Sequence, residues 1–226
     1  MPSPPYCTGG TVPPVQKSET VMRKGAETRE RLLTIAESAI LAKGFGATSI
    51  EELITEAEIT KSGFFYHFRD KSELARALVH RYLEKDEVIL DDIFRRAREL
   101  YDDPLHAFLI GLKLFAEMMA DLPEGHPGCL VATICYQERL FDRDIHEMTR
   151  SGALAWRERF VAMLEEISET YPPNDDVDME EVADLISTIV EGGIIMSKAL
   201  KEPEKLAAQV MLLRSYIKLL FSPRMA

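Results

Sequence analysis

The chain has little that marks a secreted, membrane-bound or catalytic protein. Its three cysteines, Cys7, Cys129 and Cys135, are an odd number without paired metal-ligand spacing, which argues against a disulfide scaffold and for a reducing compartment. No apolar run approaches the roughly eighteen residues a spanning helix needs, and no charged start leads into a hydrophobic block with a small-residue cleavage site. Neither a membrane span nor a signal peptide is expected, and the chain reads as cytoplasmic. It has no Walker loop, no HExxH pair and no Rossmann glycine pattern. The five histidines, His67, His80, His106, His126 and His146, show no paired spacing on one helix, so neither a metal site nor a cofactor is expected. No nucleophile stands beside a recognisable base. Carboxylate pairs such as Glu165-Glu166 and Glu180-Glu181 read as solvated faces, so no catalytic residue is assigned.

Positive charge is also scarce. The net charge is −11 over 226 residues, with a pI of about 5.0, a balance that by itself does not advertise nucleic-acid binding. Its distribution says more. Residues 23–82 hold ten basic against nine acidic side chains, a net +1, and since Lys17 and Glu19 cancel before them, the part that follows carries −12. The long acidic part repels phosphate and should face away from DNA, leaving the near-neutral segment to approach it.

All periodicity is helical and no strand alternation or fixed repeat appears. Met1 to Met22, with five prolines and Gly9-Gly10, reads as a disordered tail, after which Arg23 and Lys24 form a basic start. Leu32, Leu33, Ala36 and Ile40 predict a helix from Thr28 to Lys43, stopped by Gly44. Ile50, Leu53 and Ile54 predict a short helix from Ile50 to Ala57, capped by Thr48 or Ser49. A second short helix follows Thr60, with Lys61, Ser62 and Gly63 as a small, polar first turn ahead of Phe64-Phe65-Tyr66-His67-Phe68. Two short helices around a tight turn make a helix-turn-helix, whose second helix enters the major groove N-terminus first. From Asp70 or Lys71 a long helix, continuous or broken, connects this head to the acidic body. Further helices are predicted after Asp103-Pro104, over Cys129–Leu140 and Ile145–Thr170, and over Met179–Leu200 and Leu206–Phe221.

The run Ile59-Thr60-Lys61-Ser62-Gly63-Phe64-Phe65-Tyr66-His67-Phe68 with Lys71, Glu73 and Leu74 resembles the signature of the TetR family of bacterial transcriptional regulators. Two positions depart from it. Glu58 stands where the family usually has a left-handed Gly, and Phe65 stands where a Tyr hydroxyl commonly reaches a phosphate. The resemblance implies an all-α fold with a three-helix head over residues 23–83 and a larger helical body over 84–226 that binds an effector and dimerises. It implies a sequence-specific repressor of a double-stranded DNA operator, released by a small molecule, and no enzyme. Base edges would be approached by Thr60, Lys61, Ser62 and Gly63, and phosphates held by Ser49, Tyr66, His67 and Lys71.

The last two predicted helices each carry an apolar stripe, with Leu185, Ile189 and Gly193 on one and Val210, Leu213 and Ile217 on the other. A stripe too wide for one neighbour is either central or in an interface, and the resemblance implies a four-helix homodimer bundle. It also implies an effector pocket in the region of His106, Phe108, Phe115, Met119, Cys129, Thr133, Tyr136, Trp156 and Phe160. Each of these apolar groups could equally be core. Cys129 follows His126-Pro127-Gly128 at a predicted helix start, where free N–H groups favour thiolate; against this, a buried Cys is usually inert. A contrasting reading is a helical dimer that senses a ligand or thiol-reactive compound without binding DNA, its motif damaged at Glu58 and Phe65.

Overall fold

The computed structural model describes residues 15–222, with backbone only for 15–23. The described residues are all-α. Helix α1 spans Val15–Lys43, so Val15 to Met22 are helical where a disordered tail was expected. That stretch contains no Pro or Gly, and nothing in it stops the helix from extending; the five prolines behind the expectation all lie in residues 1–14, outside the described residues. Gly44 ends α1 at φ +87°, its N–H donating back to the Ile40 carbonyl at 2.7 Å. Only Gly reaches this conformation without a Cβ clash.

Helix α2 is Ile50–Glu56, and its cap is Ser49, whose side chain accepts from the Glu52 N–H at 3.2 Å. Thr48, the other candidate, is buried and donates to the Gly44 carbonyl instead. Helix α3 is Lys61–His67, capped by Thr60, which accepts from the Gly63 N–H at 3.1 Å. Asp70 caps α4, Lys71–Leu100, which runs unbroken for about 45 Å at 1.5 Å per residue.

Asp103 caps α5, Pro104–Ala120, with Pro at its first position. Helix α6 covers only Leu130–Tyr136. The expected helix Cys129–Leu140 breaks at Gln137, whose φ of −120° and ψ of 32° turn the chain into a 3-10 turn, Glu138–Leu140. Helix α7 is Arg143–Thr170 with Asp142 as its cap, α8 is Met179–Leu200, and α9 is Lys205–Phe221.

Two apolar clusters organise these helices. One gathers Leu32, Leu53, Phe64, Phe68, Leu74 and Leu78 from α1 to α4, and takes in Leu130, Ile134 and Ile145 from α6 and α7. The other gathers the C-terminal half of α4 with α5, α7, α8 and α9. The expected domain boundary at 83/84 falls inside α4, and α6 packs with the head although it lies beyond that boundary. Arg81 ties α1 to α4 from a nearly buried position, bonding Glu37 at 2.5 Å together with Glu30 and Thr34. Truncating one member of such a pair leaves buried charge uncompensated, at a cost of about 3–5 kcal/mol.

Candidate DNA-reading surface and ligand cavity

The α2–α3 pair is held by burial of its apolar side. Leu53 and Phe64 are fully buried, each contributing about 1.5–3 kcal/mol by leaving water. Between the helices, Glu58 takes a left-handed conformation, φ 52°. The turn therefore keeps the geometry that Gly usually supplies, at a cost of about 1 kcal/mol for a residue with a Cβ. Departure from the family at this position does not damage the motif.

This packing leaves the first turn of α3 outward. Thr60, Lys61 and Ser62 are exposed and Gly63 is half-buried. The Thr60 and Ser62 hydroxyls lie 3.0 Å apart, so the cap is shared between two small donors. Lys61 reaches Glu51 at 3.4 Å across exposed surface, a pair worth at most about 1 kcal/mol and readily exchanged for another anion. Tyr66 is 79% exposed and packs edge-on to the His67 ring. Ser49 is exposed but occupied as the α2 cap.

Two of the expected phosphate contacts have a different character. Burial, and then the charge of Arg29, hold the His67 pKa below the ordinary histidine value, so near pH 7 this ring is a neutral donor rather than a cation. Lys71 is turned inward: its ammonium donates to the Phe45 carbonyl at 2.5 Å and lies 4.2 Å from the centre of the Phe45 ring. The carbonyl and the aromatic face satisfy this charge inside the head, and burial lowers its pKa.

A cavity of about 460 Å³ opens between α4, α5, α6, α7 and α8. Of the expected pocket residues, Phe115, Met119, Cys129, Tyr136 and Trp156 line it. Four do not. Phe108 and Phe160 are buried in the core, Phe108 stacked on Phe94 and Phe160 edge-on to both. His106 is exposed on the first turn of α5, bound to Asp103 at 2.7 Å, and the Thr133 hydroxyl bonds back to the Cys129 carbonyl at 2.9 Å. Helical spacing alone does not say which side of a buried aromatic faces a void.

The polar lining was not foreseen. Tyr82, Asp86, His126 and Glu191 all border the cavity. Asp86 sits four residues after Tyr82 and four before Leu90, so an acid on an otherwise apolar helical stripe was the available signal. Burial, and then the charges of Glu37 and Glu87, push the Asp86 carboxyl up to about 7, and burial raises Glu191. Burial together with the Lys198 charge lowers His126.

Cys129 does cap α6, and Ala132 donates its N–H to the sulfur at 3.4 Å. The expected activation does not follow. Burial outweighs that N–H and pushes the thiol up to about 11, so at neutral pH the group is a thiol, with Tyr82 and Glu191 beside it on the cavity wall.

The expected interface residues divide. Gly193, Val210, Leu213 and Ile217 are buried within the chain itself. A Cβ on Gly193 would lie 3.1 Å from the Leu206 backbone, so this glycine lets α8 and α9 approach each other. Leu185 and Ile189 are half-buried. The exposed apolar side of the pair is instead formed by Ile195, Met196, Met211, Leu212 and Leu219, with Leu212 at 63% and Leu219 at 72% exposure.

With this geometry in hand, the comparison with known proteins is direct. The profile of "Bacterial regulatory proteins, tetR family" matches residues 32–78, the segment that contains α2, α3 and their packing partners. Residues 32–78 are thus similar to the DNA-binding domain of TetR-family regulators. The HTH-type transcriptional repressor BepR of Brucella suis is 30% identical over 97 residues, covering 41% of this chain and 45% of that protein. The transcriptional regulator AcuR of Cereibacter sphaeroides is 24% identical over 167 residues, 73% of each. The chain thus spans less than half the length of BepR and about three quarters of AcuR. A TetR-family regulator from Agrobacterium tumefaciens superposes with a TM-score of 0.72 at 18% identity, over 85% of this chain and 98% of that one, which establishes the shared fold. Among the described residues no helix is long and apolar enough to cross a membrane.

Proposed function

We propose that the protein is a homodimeric, cytoplasmic repressor that binds an operator sequence through α3 and is released by a small molecule entering the α4–α8 cavity. The observation that carries this reading is the outward first turn of α3, with Thr60, Lys61 and Ser62 exposed and Gly63 half-buried, on a head whose core side chains Leu53, Phe64 and Phe68 are buried. Small donors there can reach base edges without steric exclusion, while the exposed Tyr66 reaches the backbone. Two heads spaced about 34–36 Å apart would read two half-sites. The unbroken α4 supports coupling, since its N-terminal half packs in the head and Tyr82, Asp86 and Leu90 border the cavity. A ligand that shifts α4 changes the spacing of the heads and so the affinity for DNA. The exposed apolar residues of α8 and α9 support a dimer through those helices. The raised thiol of Cys129 weighs against a sensor of thiol-reactive compounds as the main function.

The test is selection of bound sequences from a randomised duplex pool, followed by titration of the enriched sequence at several salt concentrations. Enrichment of a pseudo-palindrome, with affinity falling steeply as salt rises, is the expected outcome, because each neutralised phosphate contributes a slope of about −0.9. Absence of enrichment together with a flat salt dependence overturns the reading.

A further inference from the structure

We propose that the cavity accepts a lipophilic cation, an aromatic or alkyl body bearing a permanent positive charge such as a quaternary ammonium. This names the ligand class of the effector site and rests on the reading above. The wall is apolar and aromatic apart from two carboxylates, Asp86 on α4 and Glu191 on α8, and a few neutral polar groups. Among the described residues no Lys or Arg lines it, so an anion entering the cavity would meet only neutral or negative groups of that lining.

The carboxylates also lack a settled counter-charge. Asp86 has no hydrogen-bond or ion-pair partner among the described residues. Lys85, whose charge reaches Asp86 through space, is paired with Glu37 at 3.7 Å. Glu191 has the Cys129 thiol and the Lys198 charge near it, but Lys198 donates its ammonium to the Pro127 carbonyl. Placing carboxylates against an apolar wall costs free energy unless a cation meets them. Trp156, Tyr136 and Phe115 add faces that attract a cation through the ring quadrupole. The volume of about 460 Å³ is within the range that encloses a drug-sized molecule.

Titration gives the idea a second signature. The charged and titratable groups around Asp86 are Tyr82, Lys85 and Glu87 on its own helix and Glu37 on α1. Those around Glu191 are Cys129 and Lys198, and His126 is held neutral. With Asp86 near 7, the empty cavity carries a partly protonated acid. A permanent cation favours the ionised form, so its binding tightens as pH rises from about 6 to about 8 and releases a proton; a neutral ligand shows no such trend.

Trp156 is the sole tryptophan and lines the cavity, so its fluorescence reports occupancy in the full chain without DNA. The probes are 4-phenylbutyltrimethylammonium, the neutral 4-phenylbutanol and the anionic 5-phenylpentanoate. The cation is expected to bind at least about tenfold more tightly than the alcohol, and the anion more weakly than either. In Asp86→Asn and in Glu191→Gln the ratio of cation to alcohol affinity should fall toward one while the alcohol still binds, a readout that a misfolded variant would not give. Equal or tighter binding of the alcohol or the anion by the wild type overturns the proposal, as does absence of a response to the cation at millimolar concentration, or an unchanged ratio in both variants. Operator release is read separately. A cation that occupies the cavity but leaves DNA affinity unchanged sinks the effector role and leaves the ligand class standing. Release by the alcohol or the anion alone does the reverse.

Discussion

Gln137 and Gly46 join the cavity to the DNA-reading head: the Gln137 side-chain carbonyl accepts from the Gly46 backbone N–H at 3.2 Å. Gln137 is the C-terminal cap of α6, the helix whose Val131, Ala132, Cys135 and Tyr136 border the cavity. Gly46 lies in the loop that runs from the end of α1 to Ser49 and α2. The contact lies three residues before Ser49, the cap of α2. The same side chain also fills the space beside Gly44, where a Cβ would meet its amide nitrogen at 2.4 Å.

Gln137→Ala removes this link while leaving both apolar clusters intact. DNA affinity without ligand should change by no more than about tenfold, because one exposed hydrogen bond is worth only about 0.5–1.5 kcal/mol. The ligand-induced loss of DNA affinity should shrink. Titration of operator with and without ligand, for wild type and variant, measures the coupling as a ratio of ratios; an unchanged coupling shows that α6 transmits nothing through Gly46.

Glu58→Gly should stabilise the protein. The left-handed φ of 52° at this position costs a residue with a Cβ about 1 kcal/mol, and Gly relieves it, offset in part by the greater freedom of Gly in the unfolded chain. Urea denaturation should show a higher midpoint with the same slope. A lower midpoint would mean that the turn is not strained at Glu58.

If the chain dimerises through α8 and α9 as proposed, Leu212→Glu combined with Leu219→Glu should leave it monomeric without unfolding it. Both side chains are largely exposed within one chain, so charge there penalises association and not the intramolecular core. Val210→Glu, at a fully buried position, should instead prevent folding. Sedimentation with circular dichroism separates the two effects; a double variant that remains dimeric places the interface elsewhere.

Asp86→Asn should remove a pH dependence of stability. In the folded chain this carboxyl is raised to about 7 from an ordinary value of 3.8, so between these values the folded state binds more protons than the unfolded one. Stability conferred by the protonated form is complete at low pH and declines as pH rises through about 7. At about pH 8 the wild type holds an unpaired carboxylate against an apolar wall, and the amide should be more stable by about 1–3 kcal/mol. Thermal melts from about pH 5 to about pH 8 check this: the gap between variant and wild type should widen with pH, and a constant gap would contradict the raised value.

The sequence by itself determined the head. Ser49, Thr60 and Asp70 cap α2, α3 and α4 through side chains that bond N–H groups three residues on, and Gly44 ends α1 through its own backbone. Such signals act within one turn of helix, so they can be read from a single stretch of chain. The same holds for the apolar spacing that buries Leu53 and Phe64. Tertiary structure decided what periodicity leaves open, because an apolar stripe states that a face is covered and not what covers it. Val210, Leu213 and Ile217 are covered by the chain's own helices, while Leu212 and Leu219 on the adjoining face of α9 are left exposed. Phe108 and Phe160 close on each other, and Phe115 and Trp156 border a void. Lys71 finds the Phe45 carbonyl 26 residues earlier in the chain, and Asp86 gains its raised pKa from burial and from Glu37 on another helix. Desolvation and charge pairing depend on neighbours distant in sequence, and only the folded chain brings those together.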